Sequence, residues 1–592
     1  MTEFILSSFL RLRANGPERR IFTFVDDKGH DETTLTVCQL GQAADRVAES
    51  LRGSGFVPGD RAILVYPPSP DFIEAFLGCL AAGVIPVPVY PPNPFKLKKD
   101  LATFTAIAAN AGARGILTNS TYDRSRSAGA VTNFFSKDAP RWPSLPWHRT
   151  DRLRDAGGVV WHQPAGPDEP AFLQYTSGST ATPKGVIITH GNLAHEVLSN
   201  AADLGLDAQT RGVFWVPQYH DLGLISVILS TIAGNSRTTL MSPLTFLQRP
   251  AVWFDVMSRV RATHTAAPNF AFELAVRKTT PEQRAGWDLS ELRAIMSAAE
   301  PIRSTTMEAF FAAFAGTGID RDAFFPAYGL AEHTVSVSMG GRAELRLDKA
   351  ALENGRVQVS DGAHAVSHLG CGRITKPDAR VRIVDPETRR PRGEGVVGEV
   401  WVDSPTKGLG YWGMEQETEQ TFRARIAGED DSTEYLRTGD LGFFHDGELF
   451  ITGRCKDLII VRGRNLYPTD VEESVRDCHP LVRPGGLAAF AMDAEGTEQL
   501  VLFVETRQDK VSTVQADEIV ESVRRRLYED HQLACYAVVL GRAGTVKKTT
   551  SGKVRRLACK QAFVSGETSN APTTIRVAVQ RTAGHVDVKE AS

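Results

Sequence analysis

Residues 176–185 read TSGSTATPKG and lie between the apolar runs AFLQY and VIITH. A turn rich in glycine and hydroxyls that ends in lysine has the makings of a phosphate cradle. Its spacing comes near a Walker-type loop, since four residues separate Gly178 from Pro183-Lys184-Gly185, but that loop needs Gly-Lys followed by Ser or Thr. Gly185 has no hydroxyl for a metal ion, and Pro183 has no N–H to point at an anion. A P-loop kinase or GTPase is therefore disfavoured. What survives is an inventory for holding anions: hydroxyls at Thr176, Ser177, Ser179, Thr180 and Thr182, glycines that let the backbone come close, and the Lys184 ammonium. A polar hairpin fits the same ten residues, because Ser/Thr/Gly turns are common. Both readings stay open on this stretch alone.

Such a loop needs a scaffold, and the chain is long enough to provide one. Its 592 residues exceed what one hydrophobic core usually spans, so a large or composite domain and at least one smaller domain are expected. With 42% hydrophobic and 23% charged residues and a net charge of −3, the composition is that of a soluble globular protein without bulk attraction to nucleic acid. Seven scattered cysteines with no CxxC pair indicate neither zinc nor a disulfide framework, which fits a reducing cytoplasm. The start MTEFILSSFLRLR has no basic n-region, and no apolar stretch reaches about 18 residues, so neither export nor a membrane span is expected.

Helical periodicity at 38–54 and 71–83 alternates with extended apolar runs at 62–67 and VIPVPV, and similar units recur at VFWVP, TTLMSP, THTAAP, LRAIMSAAEP and AFFPAYG. Ligands in such sheets sit beyond the carboxyl ends of strands. After about 375 the text changes to short strands with Gly/Pro turns, and 457–565 holds two strand candidates, a helix at 515–529 and a strand at CYAVVLG. In that helix Ile519, Val523 and Leu527 form the buried stripe, leaving Arg524 to Arg526 largely solvated. The predicted class is α/β: a large N-terminal domain (1–455) of βα-type subdomains plus a β-rich subdomain, then a small mobile α+β C-terminal domain (456–565). The tail 566–592 shows no periodicity and is expected to be disordered.

TSGSTATPKG is followed in order by YHDLG (219–223), SAAEP (297–301), YGLAEHT (328–334), YLRTGDLG (435–442), GRCKDLIIVRGRNLYPTDVE (453–472) and TTSGKVRR (549–556). Together, over about 10–565, these resemble the adenylate-forming enzymes. WVPQYHDLGLI, SAAEPIR and LIIVRGRNLYPTDVE look most like the fatty acyl-AMP ligases, which pass an activated fatty acid to an acyl carrier protein. About forty residues separate YGLAE from GCGR (370–373), and roughly 341–368 resembles the insertion by which that family restrains its C-terminal domain. One departure is Ala181, where the family loop usually has glycine. A φ above zero there would be strained.

The resemblance implies ATP and Mg²⁺ as cofactors and a role for each motif. Thr176, Ser177, Gly178, Ser179, Thr180 and Lys184 would hold phosphate. Ala299, Glu300, Tyr328 and Gly329 would flank adenine, with the Tyr328 ring stacked on it. Asp440 would take the ribose hydroxyls, assisted by Arg454. Glu332 would be the hard oxygen ligand for Mg²⁺. Lys553 would bridge the incoming carboxylate and the α-phosphate, two anions that repel each other. His220 would lie near the carboxylate end of the acyl site, and Lys456 at the hinge beside the Gly463-Arg464-Asn465 loop. Trp215, Phe246, Trp253, Phe270 and Phe272 are candidate walls of a dry acyl pocket, or plain core. The partners implied are a fatty acid and a separate acyl carrier protein of a polyketide or non-ribosomal peptide pathway. A fatty acyl-CoA synthetase would share every nucleotide-site residue, and a non-catalytic nucleotide or acyl-adenylate sensor would share the fold.

Overall fold

The computed structural model describes residues 4–94, 97–133, 141–155, 157–176, 183–362, 365–429, 432–461, 464–494, 497–549, 552–567, 576–580 and 586–590. The fold is mixed α/β, as its sequence predicts. It divides into two compact units that do not follow chain order. One comprises Met1–Arg342, Cys371–Val381 and Trp401–Thr438; the other comprises Ala343–Gly370, Arg382–Val400 and Gly439–Ser592.

The first unit is built on three sheets. The largest has eight strands, in spatial order Ser336–Met339, Phe324–Gly329, Ala294–Ser297, His264–Ala267, Arg211–Phe214, Arg237–Leu240, Arg20–Val25 and Asp31–Thr36. Its inner neighbours are parallel and its two outermost pairs antiparallel. The inner strands are almost wholly buried, which is why they read as continuous apolar runs rather than alternating ones. A second, all-parallel sheet joins Ile85–Pro88, Arg61–Leu64, Gly115–Thr118 and Trp147–Arg149. The third is an antiparallel set of Pro170–Thr176, Lys184–Thr189 and the two-residue strand Gly410–Tyr411. Local signals place the helices: Thr36 and Gln39 form a capping box for Val37–Gly53, and Gly83 at φ 75° closes Pro70–Ala82.

In the second unit, Val482–Ala494, Thr497–Thr506 and Cys535–Gly541 form the sheet core, and the helix Thr513–His531 makes the crossover to the parallel third strand. Ile519, Val523 and Leu527 are fully buried on it, as their spacing requires. Two more strands, Arg576–Gln580 and Val586–Glu590, extend that sheet within the stretch whose composition marked it as unstructured; RVAVQ and VDVKE carry a period of two. The segment resembling a family insertion folds as an antiparallel pair, Glu344–Leu347 with Val366–Leu369, and a short helix, Lys349–Glu353. Its Leu347 and Leu352 pack with Phe443, Phe450 and Tyr467. Beyond them the buried Glu353 carboxylate meets the Arg464 guanidinium at 2.6 Å, and Lys349 donates to the Asp530 carbonyl.

Candidate active site

The phosphate-loop stretch connects two paired strands, with Thr176 directly opposite Lys184. Ser177, Gly178, Ser179 and Thr180, together with Ala181 and Thr182, lie outside the described residues. Lys184 is held at the strand end, where its ammonium sits 4.8 Å from the centroid of the Tyr411 ring. The Tyr411 hydroxyl donates to Glu332 Oε1 at 2.9 Å. One aromatic ring thus touches the candidate phosphate cation and the candidate metal carboxylate.

Glu332 rides on a single tight turn, Ala331–His333, after the strand Phe324–Gly329. Gly329 is obligatory there: a Cβ would lie 1.7 Å from the Val335 carbonyl oxygen. Behind the turn lies a buried polar network. His333 is fully buried; its Nδ1 donates to the Ser336 carbonyl at 2.8 Å, and its Nε2 accepts from Ser404 Oγ at 2.6 Å. Burial, and then the Lys376 charge, push the His333 imidazole well below its ordinary range. Lys376 ion-pairs with Glu196, which is 0% exposed, and also donates to the Ser336 carbonyl; Glu196 in turn accepts from the Ser336 backbone N–H. Burial lowers the Lys376 ammonium, and Glu196 opposes that shift. Thr334 at φ 65° and the bond from Gly408 N–H to the Glu332 carbonyl complete the clamp.

Tyr328 is nearly buried, on the strand that leads into this turn. Ala299 adopts φ 75°, a left-handed conformation unusual for alanine and typical of functional loops. The Glu300 carboxylate is engaged structurally: Oε1 accepts from the Phe270 N–H at 2.6 Å, at the start of the helix Asn269–Lys278.

His220 Nδ1 lies 2.5 Å from Asp221 Oδ1 and 3.4 Å from the Leu222 backbone nitrogen. Asp221 also accepts from the Leu222 N–H, where a π-helix, Leu222–Leu229, begins. This wide helix and the sheet enclose a cavity lined by Gly212, Phe214, Val227, His264, Ala266 and Met296 among others. The five aromatics that could be pocket walls or core pack on one another. Trp215 stacks on Phe246 at 3.9 Å, Trp253 and Phe270 meet the Trp215 ring and Phe272 meets Trp253; all are buried except the half-buried Phe270.

In the second unit, Asp440 and Arg454 face each other across the hairpin of Leu436–His445 and Glu448–Arg454. Arg454 Nε is 2.9 Å from Asp440 Oδ1; the carboxylate is buried and the guanidinium half-exposed. Lys456 is exposed on the turn Cys455–Asp457. Gly463 lies outside the described residues. The Lys553 N–H donates to Thr549 Oγ1 at 3.0 Å, and the Thr549 N–H donates to the Lys553 carbonyl at 2.8 Å. Three residues later Arg556 makes a two-pronged contact with the buried Glu472, both bonds 2.8 Å, and reaches Asp457 at 3.3 Å. Glu472 and Asp457 raise the Arg556 pKa against the effect of burial. The loop carrying Lys553 is thereby fastened to the turn carrying Lys456.

Several of these residues escaped the sequence reading. Asp221 sits beside a candidate histidine, and Tyr411 lies in GYWG, an aromatic residue framed by glycines; both signals are local. Glu196 and Lys376 are 180 residues apart and carry none. Among the described residues no cluster of three His, Cys, Asp or Glu forms a metal cage. A lone carboxylate suits Mg²⁺, which takes one or two carboxylates and draws its other ligands from phosphates and water. No helix among the described residues is long and apolar enough to cross a membrane.

Comparison with known proteins agrees with this geometry. A family model described as AMP-binding enzyme matches residues 10–412, and one described as the AMP domain of Disco-interacting protein 2-like proteins matches 456–572. The chain is 39% identical to a medium-chain-fatty-acid–[acyl-carrier-protein] ligase, JamA, of Moorena producens, over 93% of each chain. It is 36% identical to the long-chain-fatty-acid–AMP ligase FadD26 of Mycobacterium marinum, over 95% of this chain and 98% of that one. The crystal structure of a fatty acid AMP ligase from Legionella pneumophila superposes with a TM-score of 0.72 at 34% identity, covering 95% of this chain and 96% of the other.

Proposed function

Since the chain belongs to the fatty acyl-AMP ligases of the AMP-binding, adenylate-forming enzymes, we propose that it activates a medium- or long-chain fatty acid with ATP, giving acyl-AMP and pyrophosphate, and passes the acyl group to the phosphopantetheine thiol of an acyl carrier protein. The observation that carries this reading is the meeting of Lys184 and Glu332 on one ring, a cation for phosphate and a hard oxygen for its metal.

The reaction joins a carboxylate to the α-phosphorus with loss of pyrophosphate, so the site must neutralise charge before bonds change. Lys553 brings an ammonium to both reacting anions. Lys184, Thr176 and the hydroxyls and amides of 177–180 hold the triphosphate. Tyr328 stacks on adenine beside the Ala299–Glu300 backbone and Gly329; Asp440 accepts the ribose hydroxyls and Arg454 orients it. Glu332 would hold Mg²⁺, which supplies charge neutralisation at the phosphate oxygens when bound. His220 orients the fatty carboxylate by donating a ring N–H to it, and the alkyl chain runs along the π-helix towards the cavity, each buried methylene worth about 0.8 kcal/mol. Lys456 is the hinge about which 456–565 turns after adenylation, admitting the carrier thiol. The carrier is a separate protein of a polyketide or non-ribosomal peptide pathway, and the enzyme works in the cytoplasm.

The test supplies ATP, Mg²⁺ and C12–C16 fatty acids, with either coenzyme A or phosphopantetheinylated carrier protein, and follows products by mass spectrometry. Acyl-AMP and acyl-carrier protein are expected; rapid acyl-CoA formation would make the chain a CoA synthetase, and the absence of ATP–pyrophosphate exchange would make it a sensor. Lys553→Ala should cut acyl-AMP formation by at least about a hundredfold while ATP still binds.

A further inference from the structure

We propose that Tyr411 is a positioning residue that sets the phosphate cation Lys184 and the metal carboxylate Glu332 in register with one another. The inference rests on the roles given to Lys184 and Glu332 above.

The strand containing Tyr411 is only two residues long, yet the segment around it bonds to both elements. The Trp412 N–H donates to the Gly185 carbonyl at 2.7 Å, and the Gly408 N–H donates to the Glu332 carbonyl at 2.9 Å. Tyr411 itself pairs with Val186 in the sheet. Its ring is 7% exposed and has little freedom: the Phe422 ring meets it edge-on at 5.0 Å, and its backbone N–H donates to Thr418 Oγ1 at 2.9 Å. Gly410 permits that closeness, since a Cβ there would stand 2.4 Å from Thr418 Cγ2.

The choice of a phenol has an electrostatic reason. A lysine bound directly by a carboxylate gives up charge that phosphate needs, and the carboxylate gives up charge that a metal needs. A tyrosine holds the ammonium by its ring face and the carboxylate by its hydroxyl, and neutralises neither. The two contacts can be separated by substitution, because phenylalanine keeps the face and loses the hydroxyl.

The experiment is equilibrium calorimetry of ATP binding to the full chain, with Mg²⁺ and with EDTA, for the wild type, Tyr411→Phe, Tyr411→Leu and Glu332→Gln. Tyr411→Phe should weaken binding in Mg²⁺ about ten- to a hundredfold, the effect of one hydrogen bond to a charged group, and leave binding in EDTA unchanged. Tyr411→Leu should weaken both. If Tyr411→Phe matches wild type in Mg²⁺ while Glu332→Gln does not, the positioning role fails and the metal role of Glu332 stands. If Tyr411→Phe weakens both conditions alike, the hydroxyl is merely structural and the proposal also fails. A Glu332→Gln protein indistinguishable from wild type removes the metal role, and this inference with it. Tyr411→Phe is close to isosteric, so the outcome does not depend on whether Tyr411→Leu folds.

Discussion

Lys376 and Glu196 have side chains 3% and 0% exposed, where an unpaired charge is costly. Together they secure both backbone groups of Ser336, and through Ser336 and His333 they secure the turn that presents Glu332. Removing one partner strands the other. Lys376→Met should therefore destabilise the protein by about 3–5 kcal/mol, and the double variant with Glu196→Leu should recover much of that loss, measured by denaturant unfolding. Little of this was legible beforehand. The residues flanking Glu332 announced themselves through YGLAEHT, but two charges far apart in sequence pair only because the fold brings them together. Glu300 shows the opposite limit: its motif singled out the stretch around it, while its carboxylate serves the Phe270 amide, a partner the sequence does not announce.

Elements were easier to read than their fastenings. The helix Thr513–His531 was evident, over 515–529, from its buried stripe, and the parallel strands from unbroken apolar runs; its Ser512–Gln515 capping box went unread. The aromatic residues stayed ambiguous for a physical reason: a large ring in an apolar segment reads the same whether it lines a cavity or fills a core. Arg556 is the fastening that matters most for chemistry, because it anchors the first turn of the helix Arg556–Val564 just after Lys553. Arg556→Ala leaves Glu472 buried without its two-pronged partner. A loss of about 3 kcal/mol is expected, together with faster amide exchange across 549–556 by mass spectrometry. Unchanged exchange there would show that the loop holds its shape unaided.

For the molecule as a whole, acidity is the lever the structure exposes. Burial, then the nearby Lys349 and Arg464 charges, push His531 down to about 3 from an ordinary 6.5, and burial takes His190 to about 4. Each is neutral in the folded protein, and the unfolded chain binds the proton that the folded one refuses. Stability is complete above about pH 6.5 and drains away as the pH falls towards 3. His531→Gln should reduce the loss between pH 7 and pH 5 by about 1–2 kcal/mol, read from thermal or denaturant unfolding at the two pH values. An equal slope in both proteins would mean that His531 titrates normally.

The hydrogen bonds of the coil Leu222–Leu229 span five residues instead of the four of an α-helix, which makes it one residue richer than its length along the axis requires. Deleting a single amino acid from it would let the winding tighten into an α-helix while everything downstream keeps its register, because only the surplus residue is lost. Ser226 and Val227 would then face new neighbours while the sheet beneath stayed as it is. A lineage could thus exchange the lining of its cavity in one genetic step, without touching any group that handles ATP.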